Sequence, residues 1–179
     1  MSRDWLFEYA VAGVKAAADA LARLLDAEPA TRAPVCDKLD MIALPDRLFP
    51  PDSDAIGVFA DLVGAIQGEA GIAFRRAEAD ALVRALVPDA DVTSFDTRAQ
   101  SAMSEVGNIA LSSAAGAIAE LIGGVVIPSV PRLGANMSDV LLVDEICGDL
   151  GGLPAYVAEA EINTPGRSLP LTFVWIPGD

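Results

Sequence analysis

Residues 96–124, DTRAQSAMSEVGNIALSSAAGAIAELIGG, decide how this chain folds. Met103, Val106, Ala110, Ala114, Ala117 and Leu121 recur at helical spacing and predict a buried face. Ser101, Glu105, Asn108 and Ser112 fall on the opposite strip. With ~100° of turn per residue, Glu105 stands about 40° from Ser101 and Asn108 about 20° to its other side. Ala115 and Ala119 extend that strip toward the C-terminal end with side chains too short to block an approaching surface. Ser94 or Asp96 can cap the start of the helix, and Gly123 and Gly124 end it.

The same pattern occurs 97 residues upstream. At that offset Glu8 meets Glu105, Pro34 meets Pro131, and Ala17, Ala18, Ala20 and Ala22 meet Ala114, Ala115, Ala117 and Ala119. Both copies keep a spacing of 26 positions from glutamate to proline, but Val11 stands where the second copy has Asn108. A self-match at one fixed period predicts a single domain over 1–179 made of two pseudo-repeats, about 1–90 and 91–179, with a degenerate first site at Glu8 and Val11.

Around these helices the remaining segments read as follows. The first long helix spans Asp4 to about Leu25, ended by Pro29 and Pro34, with Glu8, Lys15 and Asp19 on its polar side. A strand is expected within Ala33–Leu44 and a loop over Pro45–Ser53. Ile56–Ile66 and Ile72–Phe74 suggest a hairpin turning through Gly68–Gly71, followed by a helix over Arg76–Leu86 that buries Ala79, Leu82, Val83 and Leu86. Pro88–Asp96 links the halves. After Gly124, strand-like runs cover Val125–Leu133, Asp139–Ile146, Ala155–Ile162 and Leu171–Trp175. Helix then strands, twice over, implies an α+β fold, with an antiparallel sheet packed against two long helices.

Composition removes several classes of chemistry. The chain lacks histidine, so a Ser-His-Asp triad and a histidine zinc site are both excluded. It has neither a Walker-type phosphate loop nor a GxGxxG turn. Twenty-six acidic against twelve basic residues give a net charge of -14, which disfavours nucleic acid and anionic membranes as partners. No stretch reaches the roughly 18 apolar residues of a membrane span, and Asp4 and Glu8 interrupt anything like a signal sequence. Cys36 and Cys147 read as reduced thiols of a cytoplasmic protein, a mutual disulfide being the alternative. Chemistry here must run on carboxylates, amides and hydroxyls.

A polar strip on an amphipathic helix is what solubility alone produces. The spacing sets this one apart: Ser101, then Glu105, then Asn108, then Pro131. That pattern resembles the signature of the CheC, CheX and FliY phosphatases of chemotaxis. The text around it is similar too, in Ser104-Glu105-Val106-Gly107-Asn108-Ile109, in Ile127-Pro128-Ser129-Val130-Pro131 and in the segment Gly64 to Phe74. Length and duplicated helices look most like CheC, here with a single intact motif.

The resemblance implies a cytoplasmic phosphatase that stimulates hydrolysis of the aspartyl phosphate on a CheY-type response regulator. It casts Asn108 as the residue that orients the attacking water and Glu105 as the partner of the regulator's lysine, with Ser101 and Ser112 at the edge of the contact. No cofactor of its own is implied, since magnesium would arrive on the regulator. The alternative is a non-catalytic module, either an adaptor for a CheD-type receptor deamidase or a flagellar-switch component.

Overall fold

The computed structural model describes residues 5–29, 33–48, 54–134 and 154–178. Alanine-rich α1 (Trp5–Leu24) leads through β1 (Glu28–Pro29) and β2 (Val35–Asp40) into one 3-10 turn (Met41–Ala43) and the short α2 (Leu44–Leu48). The hairpin β3 (Ala55–Gly64) and β4 (Gly68–Arg75) is followed by α3 (Arg76–Leu86) and the long α4 (Thr97–Ile122). Then come β5 (Val126–Pro128), β6 (Arg132–Gly134), β7 (Pro154–Thr164) and β8 (Arg167–Pro177). Among the described residues the strands form one sheet in the order β1-β7-β8-β4-β3-β5, with β2 also on β7 and β6 also on β3. Every pairing is antiparallel. The α+β class and the two long helices on an antiparallel sheet are as the sequence implied.

Alternation along the strands divides the core into two layers. Val58, Ala60, Leu62, Ile72, Phe74, Phe173 and Trp175 face α1, α3 and α4, while Phe59, Ala73, Val157, Val174 and Ile176 face the other way and meet Met41, Leu44 and Leu48. Fully burying each large side chain of the helix layer contributes ~1.5–3 kcal/mol, so the apolar side of α4 fixes which way that helix faces. Glycine sets how close it comes. A Cβ on Gly107 would lie 2.2 Å from Val58 Cγ1, so α4 rests on β3 at a separation only a hydrogen side chain permits.

The start of α4 is held in three ways. Asp96 accepts from the Ala99 amide at 2.9 Å, and Gln100 Nε2 donates to the Phe95 carbonyl at 3.0 Å. Arg76 donates to the Val92 carbonyl at 2.6 Å and lies 5.0 Å from the centre of the Phe95 ring. At the other end Gly123 takes a left-handed conformation, φ 64°, and its amide bonds the Ala119 carbonyl.

Several local expectations give way. The strand expected to Leu44 stops at Asp40, whose carboxylate caps the next turn by accepting from Ile42 N at 3.0 Å. Pro45, read as the start of a loop, lies in the first turn of α2, where its missing N–H costs nothing. Gly68–Gly71 belongs to β4 rather than to the turn, which falls at Ala65–Gln67. Gly71 is needed for packing, because a Cβ there would lie 2.3 Å from the Phe59 ring. Pro128 and Pro131 break the Val125–Leu133 run into β5 and β6. The run at 139–146 and Cys147 lie outside the described residues. On α4 the buried arc swings toward Ala115 and Ile118 where β5 comes alongside, so Ala115 is buried rather than part of the polar strip. Leu121, expected inside, is 54% exposed on the last turn.

On the sheet face away from α4, Arg132 of β6 reaches across β3 to β4. Its guanidinium donates to both carboxylate oxygens of Asp61, at 3.0 and 3.3 Å, and to Glu69 at 2.5 Å. Glu69 is only 8% exposed. Burial raises its pKa above the usual 4.5, with Arg132 pulling the other way and Asp61 adding to the rise.

Two measurements follow from this packing. Gly107→Ala should lose about 1–3 kcal/mol of stability despite alanine's better helix propensity, and adding Val58→Ala should recover part of it, read by denaturant unfolding. For Glu69, the folded carboxyl holds its proton to higher pH than the unfolded one. Its contribution is intact below about pH 4.5 and declines as pH rises through the elevated value. Glu69→Gln keeps an acceptor for Arg132 and removes that decline. The Tm of the variant minus that of the parent should therefore grow more positive from about pH 4 to about pH 7.

Candidate functional site

With α4 seated on its glycine and apolar face, the strip opposite has nowhere to go but outward. Ser101, Glu105, Asn108 and Ser112 are all exposed. Ser104, beside them, is half-buried. Turning the helix to bury Glu105 would cost several kcal/mol of unpaired charge, far more than the strip gains from any surface contact. Neither Glu105 nor Asn108 makes a side-chain hydrogen bond or ion pair among the described residues. Both are left available to something that arrives.

They border a cleft. An open depression of about 790 Å³ runs between α4 and the crossing from β5 to β6, with Ser101, Glu105 and Asn108 on one lip and Pro128, Ser129, Val130 and Pro131 on the other. Ser112 is exposed one turn further along and does not line it. The second lip is pinned to β3: Ser129 N donates to the Asp61 carbonyl at 2.8 Å, and Asp61 N donates to Ser129 Oγ at 3.0 Å. Val130, at its crest, is 87% exposed.

On its other flank the strip meets an apolar hollow of about 460 Å³, floored by Leu24, Leu86, Val87 and Ala102 and sharing Ser101 and Glu105 with the cleft. The polar pair thus stands on a ridge between a depression of mixed lining and an apolar one. The hollow escaped the sequence reading because its floor comes from three separate elements. The second lip was visible only as the text Pro128-Ser129-Val130-Pro131, read as continuous strand. The prolines were the signal that it was not.

The upstream positions expected to form a degenerate first site are placed differently. Glu8 and Val11 are half-buried on α1, beside Trp5 at 58% and Phe7 at 38% exposure. The counterpart of the second lip, residues 31–34 by the 97-residue offset, lies partly outside the described residues.

Chemically, the ridge offers an anion, an amide and hydroxyls on an open surface. No group of three or more acidic or cysteine side chains suited to a metal occurs among the described residues. No described helix is long and apolar enough to cross a membrane. An exposed amide with free oxygen and nitrogen can orient water, and an exposed carboxylate can receive a cation from a docked surface.

Residues 99–134 match the CheC-like family. No curated protein matches the chain by sequence. Among solved structures, Thermotoga maritima FliY is similar at 16% identity and a TM-score of 0.68, over 96% of this chain and 88% of that one. The CheX-CheY-BeF3-Mg2+ complex from Borrelia burgdorferi is similar at 18% identity and a TM-score of 0.59, over 95% and 98%. The FliM middle domain from H. pylori is similar at 11% identity and a TM-score of 0.65, over 99% and 94%. The likeness to CheC, CheX and FliY read from the motif is therefore borne out: residues 99–134 carry the CheC-like family's sequence, and the chain as a whole has the fold of these proteins.

Proposed function

We propose that this chain is a cytoplasmic phosphatase that stimulates hydrolysis of the aspartyl phosphate on a CheY-type response regulator. The observation that carries the reading is the ridge itself. Glu105 and Asn108 stand exposed and unpartnered beside an open cleft, a geometry suited to a phosphoryl group presented by another protein's surface. The Borrelia CheX structure, with CheY in the complex, supports the choice of partner.

Hydrolysis of an acyl phosphate needs little covalent help. The remaining barrier is placing a water in line with phosphorus and stabilising charge on the equatorial oxygens. A neutral amide is no base, so Asn108 contributes by orientation: its side-chain oxygen accepts from the water and aims it at phosphorus. Glu105, one helical turn back, receives the ammonium of the regulator's phosphate-contacting lysine and fixes the docking register. Ser101 adds a hydrogen bond at the edge, and Ser112 meets the regulator further along the helix. The magnesium that neutralises the phosphoryl oxygens belongs to the regulator.

The likeness to the FliM middle domain and the loss of asparagine at Val11 favour a second reading, a non-catalytic binding module. Such a module would hold a CheD-type deamidase or serve in a flagellar switch. A pull-down paired with phosphate release separates the two, because the module binds without changing the lifetime of the phosphate.

Asn108→Ala should abolish stimulated phosphate release from a purified phosphorylated receiver while moving stability by less than about 0.5 kcal/mol, as expected of an exposed site. Unchanged release in that variant would end the proposal. Glu105→Ala should raise the half-saturating regulator concentration and lower turnover together. Val11→Asn in an Asn108→Ala background asks whether α1 still carries a usable frame. Restored release there would mark the first site as lost by that one substitution, and continued silence would place further losses around Glu8.

A further inference from the structure

We infer that Arg132 is a positioning residue for this site, holding the second lip of the cleft at a set distance from Asn108 and Glu105. Its consequence for turnover rests on the phosphatase reading, whereas its consequence for the lip does not. The crossing from β5 to β6 is poorly supported by backbone bonds alone. Each strand is three residues long, and Pro128 and Pro131 have no N–H to give. Ser129 secures the near end through its two bonds to Asp61. The far end leaves Pro131 directly into Arg132, whose guanidinium grips Asp61 by two donors and Glu69 by a third.

Asp61 is therefore common to both ends of the crossing. Its backbone holds Ser129, and its side chain holds Arg132. The three charged side chains lie on the face of the sheet opposite the cleft, while Leu133, the next residue, lines the cleft. Arg132 cannot touch a docked phosphoryl group from there. It acts through the backbone between Ser129 and Leu133, and so through where Val130 and Pro131 stand. A planar guanidinium can grip two carboxylates at once with fixed angles, which an ammonium cannot reproduce. A lip displaced by an ångström would change how a regulator seats above Asn108.

The test compares Arg132→Met and Arg132→Lys with the parent by amide hydrogen exchange and by phosphate release from a saturating phosphorylated receiver. In Arg132→Met the amides of Ser129 and Arg132 should exchange about tenfold faster while those of 101–112 stay unchanged. Turnover at saturation should fall about tenfold with little change in half-saturation, and Arg132→Lys should recover part of both. Asn108→Ala serves as the control, losing turnover with no change in exchange at the lip. A folded Arg132→Met protein with parental exchange, or with parental turnover, overturns the inference. If Arg132→Met does not fold, Asp61→Asn replaces it. That variant keeps the bond to Glu69 and should show the same two changes, smaller. A parent chain that leaves phosphate release unstimulated defeats the phosphatase reading, and exchange at the lip then decides the role of Arg132 by itself.

Discussion

The absence of a side chain at Gly107 governs the geometry of this protein. Val58 occupies the space where a Cβ would stand, so α4 lies against β3 at a distance no other residue allows. Met103, Val106, Ala110 and Ala114 are then buried on the same side, and their burial locks the rotation of the helix. Asn108 follows Gly107 in the chain and Glu105 precedes it by two. Their outward projection is a consequence of packing beneath them, and it needs no bonds of their own. A site built this way is rigid in position while its functional groups stay unengaged, which suits a surface that must meet a partner without reorganising.

The other side of the cleft obeys a different logic. Its lip is made by interrupting a strand, and interruption removes the ladder that would otherwise hold it. Polar side chains replace the ladder: Ser129, Asp61, Arg132 and Glu69 join three strands on the outer face of the sheet. Burying Glu69 opposes its own ionisation, and the third donor of Arg132 offsets part of that cost. One lip thus depends on apolar packing and the other on charge. The β5–β6 crossing, supported through Glu69, should therefore be sensitive to pH.

Much of this was legible in the sequence, for reasons that can be named. The heptad-like recurrence of alanine, valine and methionine over 97–122, bounded by Asp96 and Gly123, is a local signal, and both ends of α4 fell where those caps indicate. Arg76–Leu86 was read to the residue because Pro88 follows it closely. Ser101, Glu105 and Asn108 could be assigned to one strip because 3.6 residues per turn relates them without reference to anything else. What escaped was non-local. Arg132 finds Asp61 and Glu69 from 71 and 63 residues away, and nothing beside Pro131 announces them. The role of Gly71 is similarly hidden, since the ring that demands it belongs to Phe59 on the neighbouring strand. Leu121 failed for a simpler reason: periodicity assigns a side but does not say where the supporting sheet ends.

The inventory and the geometry constrain the chemistry together. With no histidine in the chain, proton transfer by an imidazole is closed, and Glu105 stands exposed to water on the ridge. Among the described residues the ridge offers one carboxylate, an amide and hydroxyls, and no group of three or more acidic or cysteine side chains suited to a metal occurs. What it can supply is placement: one amide oriented by a rigid helix, one carboxylate a turn away, and an opposing lip at fixed distance. Placement alone is useful where the reaction is already close to spontaneous and the substrate brings its own magnesium and its own electrophile. Acyl phosphate hydrolysis meets those conditions, whereas amide, ester or phosphodiester cleavage would need an activated nucleophile that this surface lacks. The simplicity of the ridge is thus consistent with the proposed substrate, a reactive phosphoryl group carried in by a folded partner.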